Sequence, residues 1–186
     1  RQPGRALAPD AVGRRVVVIG GGNTALDGVR ELLTLGVSNV TMIYRGVEPG
    51  MTGYKHEWAA AKVQSATASY RSQPLAYEVT DGAVTGVRCQ GLDANKKPIE
   101  GREYVVPAQL VLVAIGQGKL GHLLESVDGV QVDWGRIIVD EAQATGRPGW
   151  FAGGDCANGA KEVVNAVAEG RDAAGGIHAY LTSGQT

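Results

Sequence analysis

The feature that most constrains the fold is the segment GGGNTA at 20–25, which lies between an apolar run and an amphipathic stretch. The unbroken β-branched run at 16–19 is typical of a parallel strand covered on both faces. Apolar residues then recur at helical spacing until Gly36 provides a stop. A second apolar run at 40–44 follows. Strand, glycine turn, helix and strand together predict a βαβ unit.

Within this unit, the spacing of Gly20, Gly22 and Ala25 predicts a Rossmann-type dinucleotide-binding turn. Gly20 would make the sharp turn, Gly22 would leave room for a pyrophosphate, and Ala25 would let helix and strand pack closely. The N-terminus of the helix would then offer free N–H groups and the positive end of its dipole to the phosphates. A tight strand-to-helix turn without a ligand is the alternative.

The end of the second strand distinguishes the two nicotinamide coenzymes, because an acid there binds the ribose of NADH and an arginine accommodates the extra phosphate of NADPH. Here the strand ends in Tyr44 and Arg45, and residues 40–45 contain no Asp or Glu. This favours NADPH over NADH. Gly46 stands where a second arginine would help, so Arg45 as a merely solvated cation remains the alternative.

Further elements are predicted along the rest of the chain. A helix is expected at 55–64, followed by a hairpin of strands 77–80 and 84–90 joined at Asp81-Gly82. The run 104–115 is interrupted at Pro107 and should end as a buried strand from 110 to 115. Short strands at 130–132, 136–139 and 150–152 precede a helix from 162 to 181. The apolar face of this last helix comprises Val163, Val164, Val167, Ala174 and Ile177.

Composition excludes several classes of protein. The chain has 18 Lys and Arg against 19 Asp and Glu, so a broad positive face for nucleic acid is not expected. No stretch approaches the roughly 20 apolar residues of a membrane span, and residues 1–15 lack the apolar core of a signal peptide. We therefore expect a soluble cytoplasmic protein with neither nucleic acid nor a membrane as partner.

The residues that usually carry metal or acid–base chemistry are scattered. Cys89 and Cys156 form neither a CxxC pair nor a metal-ligand set, so two reduced thiols are expected. His56, His122 and His178 have no metal-ligand spacing. No catalytic triad or carboxylate pair is found. We predict no metal site and no catalytic residue.

Motifs in order along the chain resemble a known family: GGGNTALD at 20–27, VTMIYR at 40–45, AIGQ at 114–117 and FAGGDCANGAKEVVNAVAEG at 151–170. Together they look like the nicotinamide and flavin halves of flavin oxidoreductases of the glutamate synthase small-subunit and dihydropyrimidine dehydrogenase type. The resemblance covers 15–181, and KEVVNAVAEG looks closer to the bacterial pyrimidine-dehydrogenase branch. It implies an α/β fold, a Rossmann-like three-layer ββα sandwich of the FAD/NAD(P)-binding type.

The resemblance also implies roles for single residues in the nicotinamide half. NADPH would be held by the pair Tyr44 and Arg45 and by the GGGNTALD segment, with Gly20, Gly21, Gly22, Asn23 and Thr24. Gly116 of AIGQ would be a further cofactor contact, outside the residues that are assigned to NADPH. For Asp27 and Glu57 a surface or packing role is expected instead.

In the flavin half, the resemblance makes Gly153, Gly154 and Asp155 a contact with FAD, with Asp155 near the ribityl or pyrophosphate region. The helix that begins around Glu162 and Val163 would direct its N-terminal amides at the flavin ring and stabilise the charge of the reduced flavin. Alternatively, Gly-Gly-Asp is an ordinary turn with Asp155 as a cap. For Asn165 a surface or packing role is expected.

The chain departs from this family at its N-terminus. Members carry an earlier FAD-binding βαβ unit with its own glycine fingerprint, for which residues 1–13 are too few. We therefore expect the C-terminal part of a larger reductase with an incomplete flavin lobe. The expected organisation is a linker at 1–13, an NADP(H)-binding domain at 14–107 and the C-terminal part of a FAD-binding domain at 108–186.

The activity implied is hydride transfer from NADPH to FAD, with electrons leaving toward iron–sulfur clusters or partner domains. The implied partner is a missing N-terminal flavin or iron–sulfur portion, or a partner subunit. Apolar surface left uncovered at 108–186 predicts self-association into a homo-oligomer. The alternative function is a standalone NADP(H)-binding module without redox chemistry. The lack of a cysteine pair argues against a thioredoxin- or glutathione-reductase role, and the final substrate stays open.

Overall fold

A computed structural model describes residues 13–116, 118, 121–124 and 126–184. These residues form two compact units, one ending at Gly116 and the other comprising the described residues after it. The predicted linker lies outside the described residues except for residue 13. Each unit has its own architecture.

The first unit contains the predicted βαβ unit and an antiparallel insertion. Its elements are β1 (Arg15–Ile19), α1 (Asn23–Thr34), β2 (Asn39–Tyr44), a 3-10 turn (Glu48–Gly50), α2 (Lys55–Val63), β3 (Thr67–Tyr70), β4 (Ser72–Thr80), β5 (Ala83–Leu92), β6 (Pro98–Pro107) and β7 (Leu110–Val113). The parallel sheet has the order β3-β2-β1-β7, and the antiparallel sheet has the order β4-β5-β6. The first unit is therefore an α/β structure.

The core of the first unit has two faces because side chains alternate along β1. Val16 and Val18 pack with buried residues of α1 and α2, whereas Val17 and Ile19 pack with Val87 and other residues of the antiparallel sheet. The layers are thus helices, parallel sheet and antiparallel sheet. This arrangement confirms the three-layer ββα sandwich.

The hairpin between β4 and β5 turns at Asp81 and Gly82, whose φ values of 51° and 75° suit the predicted two-residue turn.

The run 104–115 is divided between two strands. Pro107 ends β6, and β7 joins the other sheet beside β1. Residues 110–115 are not buried as expected, since Val113 is 49% and Ile115 is 71% exposed. Among the described residues β7 is the edge strand of the parallel sheet, and the side chains at its carboxyl end, Val113 and Ile115, are exposed because they border an open cleft. The division between the units falls after Gly116 rather than after Pro107, because β7 belongs to the first sheet.

The second unit is built from short elements and one long helix. They are α3 (Gly121–Leu124), β8 (Val132–Asp133), β9 (Arg136–Ile137), α4 (Asp155–Asn158) and α5 (Val163–Thr182), with a single β-bridge between Ala144 and Phe151. Helix α5 packs through a half-buried stripe that includes Ala173, Gly176 and Tyr180. The ring of Phe151 meets Tyr180 edge to face, with centroids 6.2 Å apart.

The apolar face predicted for the last helix is the exposed face of α5. Its residues Val163, Val164, Val167, Ala174 and Ile177 are all exposed. Helical periodicity identifies an apolar face but does not show whether anything covers it, and the packed stripe here uses small residues instead. Among the described residues, no helix is long and apolar enough to cross a membrane.

Candidate functional site

The glycine turn joins β1 to α1 with geometry that a larger residue would disturb. Gly20 has a φ of 142°, and its N–H donates to the carbonyl oxygen of Ile43 at 3.0 Å. A Cβ added to Gly20 would overlap the carbonyl oxygen of Ala114 and lie 3.2 Å from the Cβ of Ala25. The roles expected for Gly20 and Ala25, a sharp turn and close packing, are both visible here.

A second segment, which we call the covering loop (residues 46–54), lies beside the glycine turn. The N–H of Gly53 donates to the carbonyl oxygen of Gly21 at 3.1 Å. The N–H of Tyr54 donates to Oδ1 of Asn23 at 3.1 Å. The Asn23 side chain therefore holds the covering loop against the start of α1, a structural role that the sequence reasoning missed.

Tyr44 connects the end of β2 to the covering loop. Its hydroxyl donates to the carbonyl oxygen of Gly50 at 2.7 Å. Its ring occupies the space beside Gly21 and Gly46, where an added Cβ would lie 2.6 Å and 2.7 Å from ring atoms. Gly46, which interrupts the basic pair expected for NADPH, is thus required by the packing of Tyr44.

A hydrogen-bonded network fixes the other side of the covering loop. Tyr70 donates from its hydroxyl to Oε2 of Glu48 at 2.8 Å and accepts from Nε1 of Trp58 at 2.9 Å. Lys62 donates to Oε1 of Glu48 at 2.6 Å. Burial and the bond to Glu48 raise the pKa of Tyr70 to about 12, and the bonds from Lys62 and Tyr70 lower the pKa of Glu48. The network ties the covering loop to α2 and β3.

A cleft of about 780 Å³ opens at the carboxyl ends of the parallel strands. Such an edge is where ligands bind in open α/β sheets. The lining residues are Ile19, Gly20, Gly21, Gly22, Thr24, Ile43, Tyr44, Arg45, Thr52, Ser72, Gln73, Pro74, Tyr77, Lys96, Val113, Ala114, Ile115 and Gly116. Two of these are charged, Arg45 and Lys96, and both are cations.

The predicted nicotinamide-site residues converge on this cleft with one exception. Those that line it are Gly20, Gly21, Gly22, Thr24, Tyr44 and Arg45, and Gly116, which was predicted as a cofactor contact without a named cofactor, lines it as well. Asn23 is not among the lining residues, because its side-chain oxygen accepts from the covering loop. As expected, Asp27 is exposed, and Glu57 forms an ion pair of 2.6 Å with Arg30 on α1.

Sequence reasoning missed a group of lining residues contributed by the antiparallel sheet. Ser72, Gln73 and Pro74 begin β4 directly after β3, so their position at a carboxyl end of the parallel sheet could have indicated them. Lys96 lies in the turn between β5 and β6 and has no local signal, because only the packing of the two sheets brings that turn to the cleft.

The Gly-Gly-Asp loop of the second unit is organised by a carboxylate on α5. Gly154 has a φ of 71°, and its N–H donates to Oε2 of Glu169 at 2.6 Å. Nδ2 of Asn158 donates to the same oxygen at 2.9 Å. Asp155 begins α4, and its side chain is exposed. Glu169 thus holds the loop through these two hydrogen bonds, and the side chain of Asp155 stays accessible.

The start of α5 is capped by its own side chains. Glu162 is the N-cap residue, and its side chain accepts from the N–H of Asn165 while its own N–H donates to Oδ1 of Asn165 at 3.2 Å. The side chain of Asn165 therefore caps the helix that it belongs to. Val163, the first helical residue, is exposed. The capping box satisfies part of the helix terminus within the chain.

Comparison with known proteins adds to this geometry. Residues 3–170 match the family described as pyridine nucleotide-disulphide oxidoreductase. The chain belongs to this family. Its members bind FAD and a nicotinamide dinucleotide, the cofactor pair expected from the sequence.

Individual relatives are longer than this chain. The AegA protein of Escherichia coli is 43% identical and aligns with 92% of the chain but 28% of its own length. The small chain of NADPH glutamate synthase from the same organism is 38% identical over 91% of the chain and 39% of its own length. The glutamate synthase resemblance is confirmed, whereas the dihydropyrimidine dehydrogenase branch stays a prediction. The chain spans less than half the length of these relatives.

Solved structures show the same fold. Thioredoxin reductase of T. acidophilum superposes with a TM-score of 0.76 at 28% identity, over 92% of this chain and 53% of that one. Thioredoxin reductase of Lactococcus lactis gives a TM-score of 0.78 at 21% identity, over 92% of this chain and 54% of that one. The fold of the FAD/NAD(P)-binding type is thus confirmed.

Both cysteines of this chain are free thiols, Cys89 buried and Cys156 exposed.

Proposed function

We propose that this chain is the electron-input portion of a flavin oxidoreductase, which binds NADPH and delivers its hydride to FAD. The observation that carries the proposal is the cleft at the carboxyl ends of β1, β2 and β7, which combines the glycine turn with Arg45 and contains no acid among its described lining residues. A carboxylate that would bind the ribose of NADH is missing where it would be needed.

The pyrophosphate, the ribose phosphate and the nicotinamide of NADPH can each be assigned to a different part of the cleft. The pyrophosphate would lie on the amides of Gly21 and Gly22 and the first turn of α1, where N–H groups and the helix dipole favour anions. The phosphate on the adenosine ribose would lie at Arg45, at the end of β2. The remaining end of the cleft, at Ala114 and Gly116, would receive the nicotinamide half.

The second unit contains residues that suit one edge of FAD. Gly154 adopts a positive φ, its N–H is held by Glu169, and Asp155 is left accessible beside it. When bound, FAD accepts a hydride and passes electrons on singly. The role of this chain is to hold Asp155 and the start of α5, at Val163, in position. We assign no acid–base residue.

The remaining length of the relatives suggests what completes the enzyme. They are named as a glutamate synthase [NADPH] small chain in Escherichia coli and an NADP(+)-dependent formate dehydrogenase subunit beta in Moorella thermoacetica. Both names support NADPH as the coenzyme, and both describe one subunit of an assembly. We therefore propose that an additional portion or partner subunit supplies the rest of the flavin site, the iron–sulfur chain and the final substrate. With two reduced thiols, the cytoplasm is the proposed location.

Calorimetric titration of the chain with NADPH and NADH tests the coenzyme assignment. We expect NADPH to bind more tightly, and Arg45→Ala to weaken NADPH binding about tenfold or more because a charge-assisted contact is lost. Arg88→Ala is the matched control, since Arg88 lies on β5, pairs with Glu78 at 3.4 Å and does not line the cleft. Equal affinities for both coenzymes in the wild type, unchanged by Arg45→Ala, would contradict the assignment.

The second candidate function is a standalone NADP(H)-binding module. It is favoured by the location of the cleft, because every described residue that lines it belongs to the first unit. An absorbance spectrum is the first test of the two candidates, and flavin that copurifies and bleaches when NADPH is added supports the reductase. A colourless chain that binds NADPH is expected of the module and equally of a reductase portion whose flavin site is completed elsewhere. The upstream coding sequence then separates these two, because only the reductase requires a second glycine fingerprint there.

A further inference from the structure

The turn between β5 and β6, residues 93–97, contributes one lysine to the nicotinamide cleft. Oδ1 of Asp93 accepts from the N–H groups of Asn95 and Lys97, each at 2.8 Å. The N–H of Lys96 donates to the carbonyl oxygen of Asp93 at 3.1 Å. Lys96 itself adopts a φ of 62° and lines the cleft, whereas its neighbour Lys97 does not. The turn is therefore closely organised and presents one of its two lysines to the cleft.

Backbone hydrogen bonds place this turn on the Arg45 side of the cleft. The N–H of Arg71 donates to the carbonyl oxygen of Gly46, the residue after Arg45, at 2.9 Å. The N–H of Leu92 donates in turn to the carbonyl oxygen of Arg71 at 2.7 Å. Leu92 immediately precedes the turn. The position of Lys96 is thus tied through two bonds to the end of β2 and not to β7, where the nicotinamide half would lie.

The position of Lys96 matters because the end of β2 offers too little positive charge for the extra phosphate of NADPH. Gly46 occupies the position after Arg45 because the ring of Tyr44 fills the space beside it, so β2 supplies a single cation. NADPH differs from NADH by a phosphate that carries nearly two negative charges, which one guanidinium does not neutralise. Within the described lining no carboxylate competes for Lys96.

We propose that Lys96 is a specificity-determining residue, which pairs with Arg45 around the 2′-phosphate of NADPH. This inference rests on the proposed function and deepens it. The second cation that the β2 end lacks is supplied from a distant hairpin. Lys96 then discriminates NADPH from NADH and does not take part in hydride transfer.

The test compares Lys96→Met with Lys97→Met in the full chain, titrated with NADPH, NADH and adenosine 2′,5′-bisphosphate. Both substitutions remove one positive charge from the same exposed turn, so they change the long-range electrostatic field to the same extent. We expect Lys96→Met to weaken binding of NADPH and of the bisphosphate about fivefold, leave NADH unchanged and reduce the salt dependence. Lys97→Met should change none of these affinities, and Lys96→Arg should restore NADPH binding.

The outcomes separate this inference from the proposed function. Equal effects of Lys96→Met on NADPH and NADH would overturn the inference, because they would indicate a contact with the shared pyrophosphate. Equal effects of the two Met variants would also overturn it. A wild-type chain that binds neither coenzyme overturns the proposed function itself. If Arg45→Ala weakens NADPH binding and Lys96→Met does not, only the role of Lys96 fails.

Discussion

Single residues of the site are constrained mainly by the space around them. Gly20 is enclosed by the Ala114 carbonyl and the Ala25 side chain, while Gly21 and Gly46 leave room for the ring of Tyr44. Only the first of these constraints follows from the known fingerprint, in which glycine makes the turn and a small residue packs behind it. The others depend on which aromatic residue ends β2. The same short motif can therefore be built with different supporting contacts.

Gly20→Ala should destabilise the first unit by roughly 3 kcal/mol, because the added Cβ would meet a backbone oxygen that has little freedom to move. Gly36→Ala is the control: Gly36 also has a positive φ, of 90°, but has open space around its Cβ position. Gly36→Ala should lower the free energy of unfolding by only about 1 kcal/mol. Urea unfolding monitored by tryptophan fluorescence measures both losses, and equal losses would contradict the steric argument.

At the scale of elements, the covering loop depends on side chains from three different places. Asn23 holds it to α1, Tyr44 holds it to β2, and the network of Trp58, Tyr70 and Glu48 holds it to α2 and β3. Since the covering loop flanks the glycine turn, its stability influences the shape of the cleft. The phenol of Tyr70 is the central member of the network because it both donates and accepts.

Tyr70→Phe should destabilise the first unit by about 1–2 kcal/mol, because it leaves the indole N–H of buried Trp58 without its acceptor. The pKa of Tyr70 is raised from 10.0 to about 12, so its neutral form is favoured in the folded state. Its contribution is therefore fully present below pH 10 and is lost as the pH rises toward 12. Urea unfolding between pH 8 and 12 should show this loss in the wild type and in the exposed-site control Tyr77→Phe, but not in Tyr70→Phe. Parallel pH profiles for all three proteins would refute the role of the network.

At the scale of the whole molecule, apolar surface is unevenly covered. The core of the first unit has both faces of β1 buried, yet the edge strand β7 leaves Val113 and Ile115 accessible. On the second unit, the exposed face of α5 includes Val164 at 69% and Val167 at 67% exposure. Contiguous apolar surface of this kind marks an interaction site in a folded protein.

We predict that the chain self-associates through the second unit and that Val164→Glu with Val167→Glu weakens the association at least tenfold, because charges would be buried in the contact. Val63→Glu is the control, since Val63 is 87% exposed at the end of α2 in the first unit. Sedimentation velocity over a concentration series provides the measurement. A wild-type chain that remains strictly monomeric throughout would contradict this prediction.

Local patterns were sufficient to predict much of this protein. The strand–turn–helix at 15–34, the hairpin at Asp81-Gly82 and the helix α5 were all expected from the sequence, and most residues predicted to bind the nicotinamide coenzyme line one cleft. Each depends on neighbours within a few positions: β-branched runs, glycine turns and helical periodicity. The fold class followed because these local units occur in a characteristic order, and the family followed from the resemblance of four motifs to known members.

Only the tertiary structure decided where distant segments meet. It placed β7 beside β1, turned the side chain of Asn23 to the covering loop, brought Lys96 to the cleft and left the apolar face of α5 exposed. The physical reason is that hydrophobic periodicity records which side of an element is apolar, not which partner covers it. Contacts between segments far apart in the chain depend on how whole layers pack, and no short motif encodes that packing.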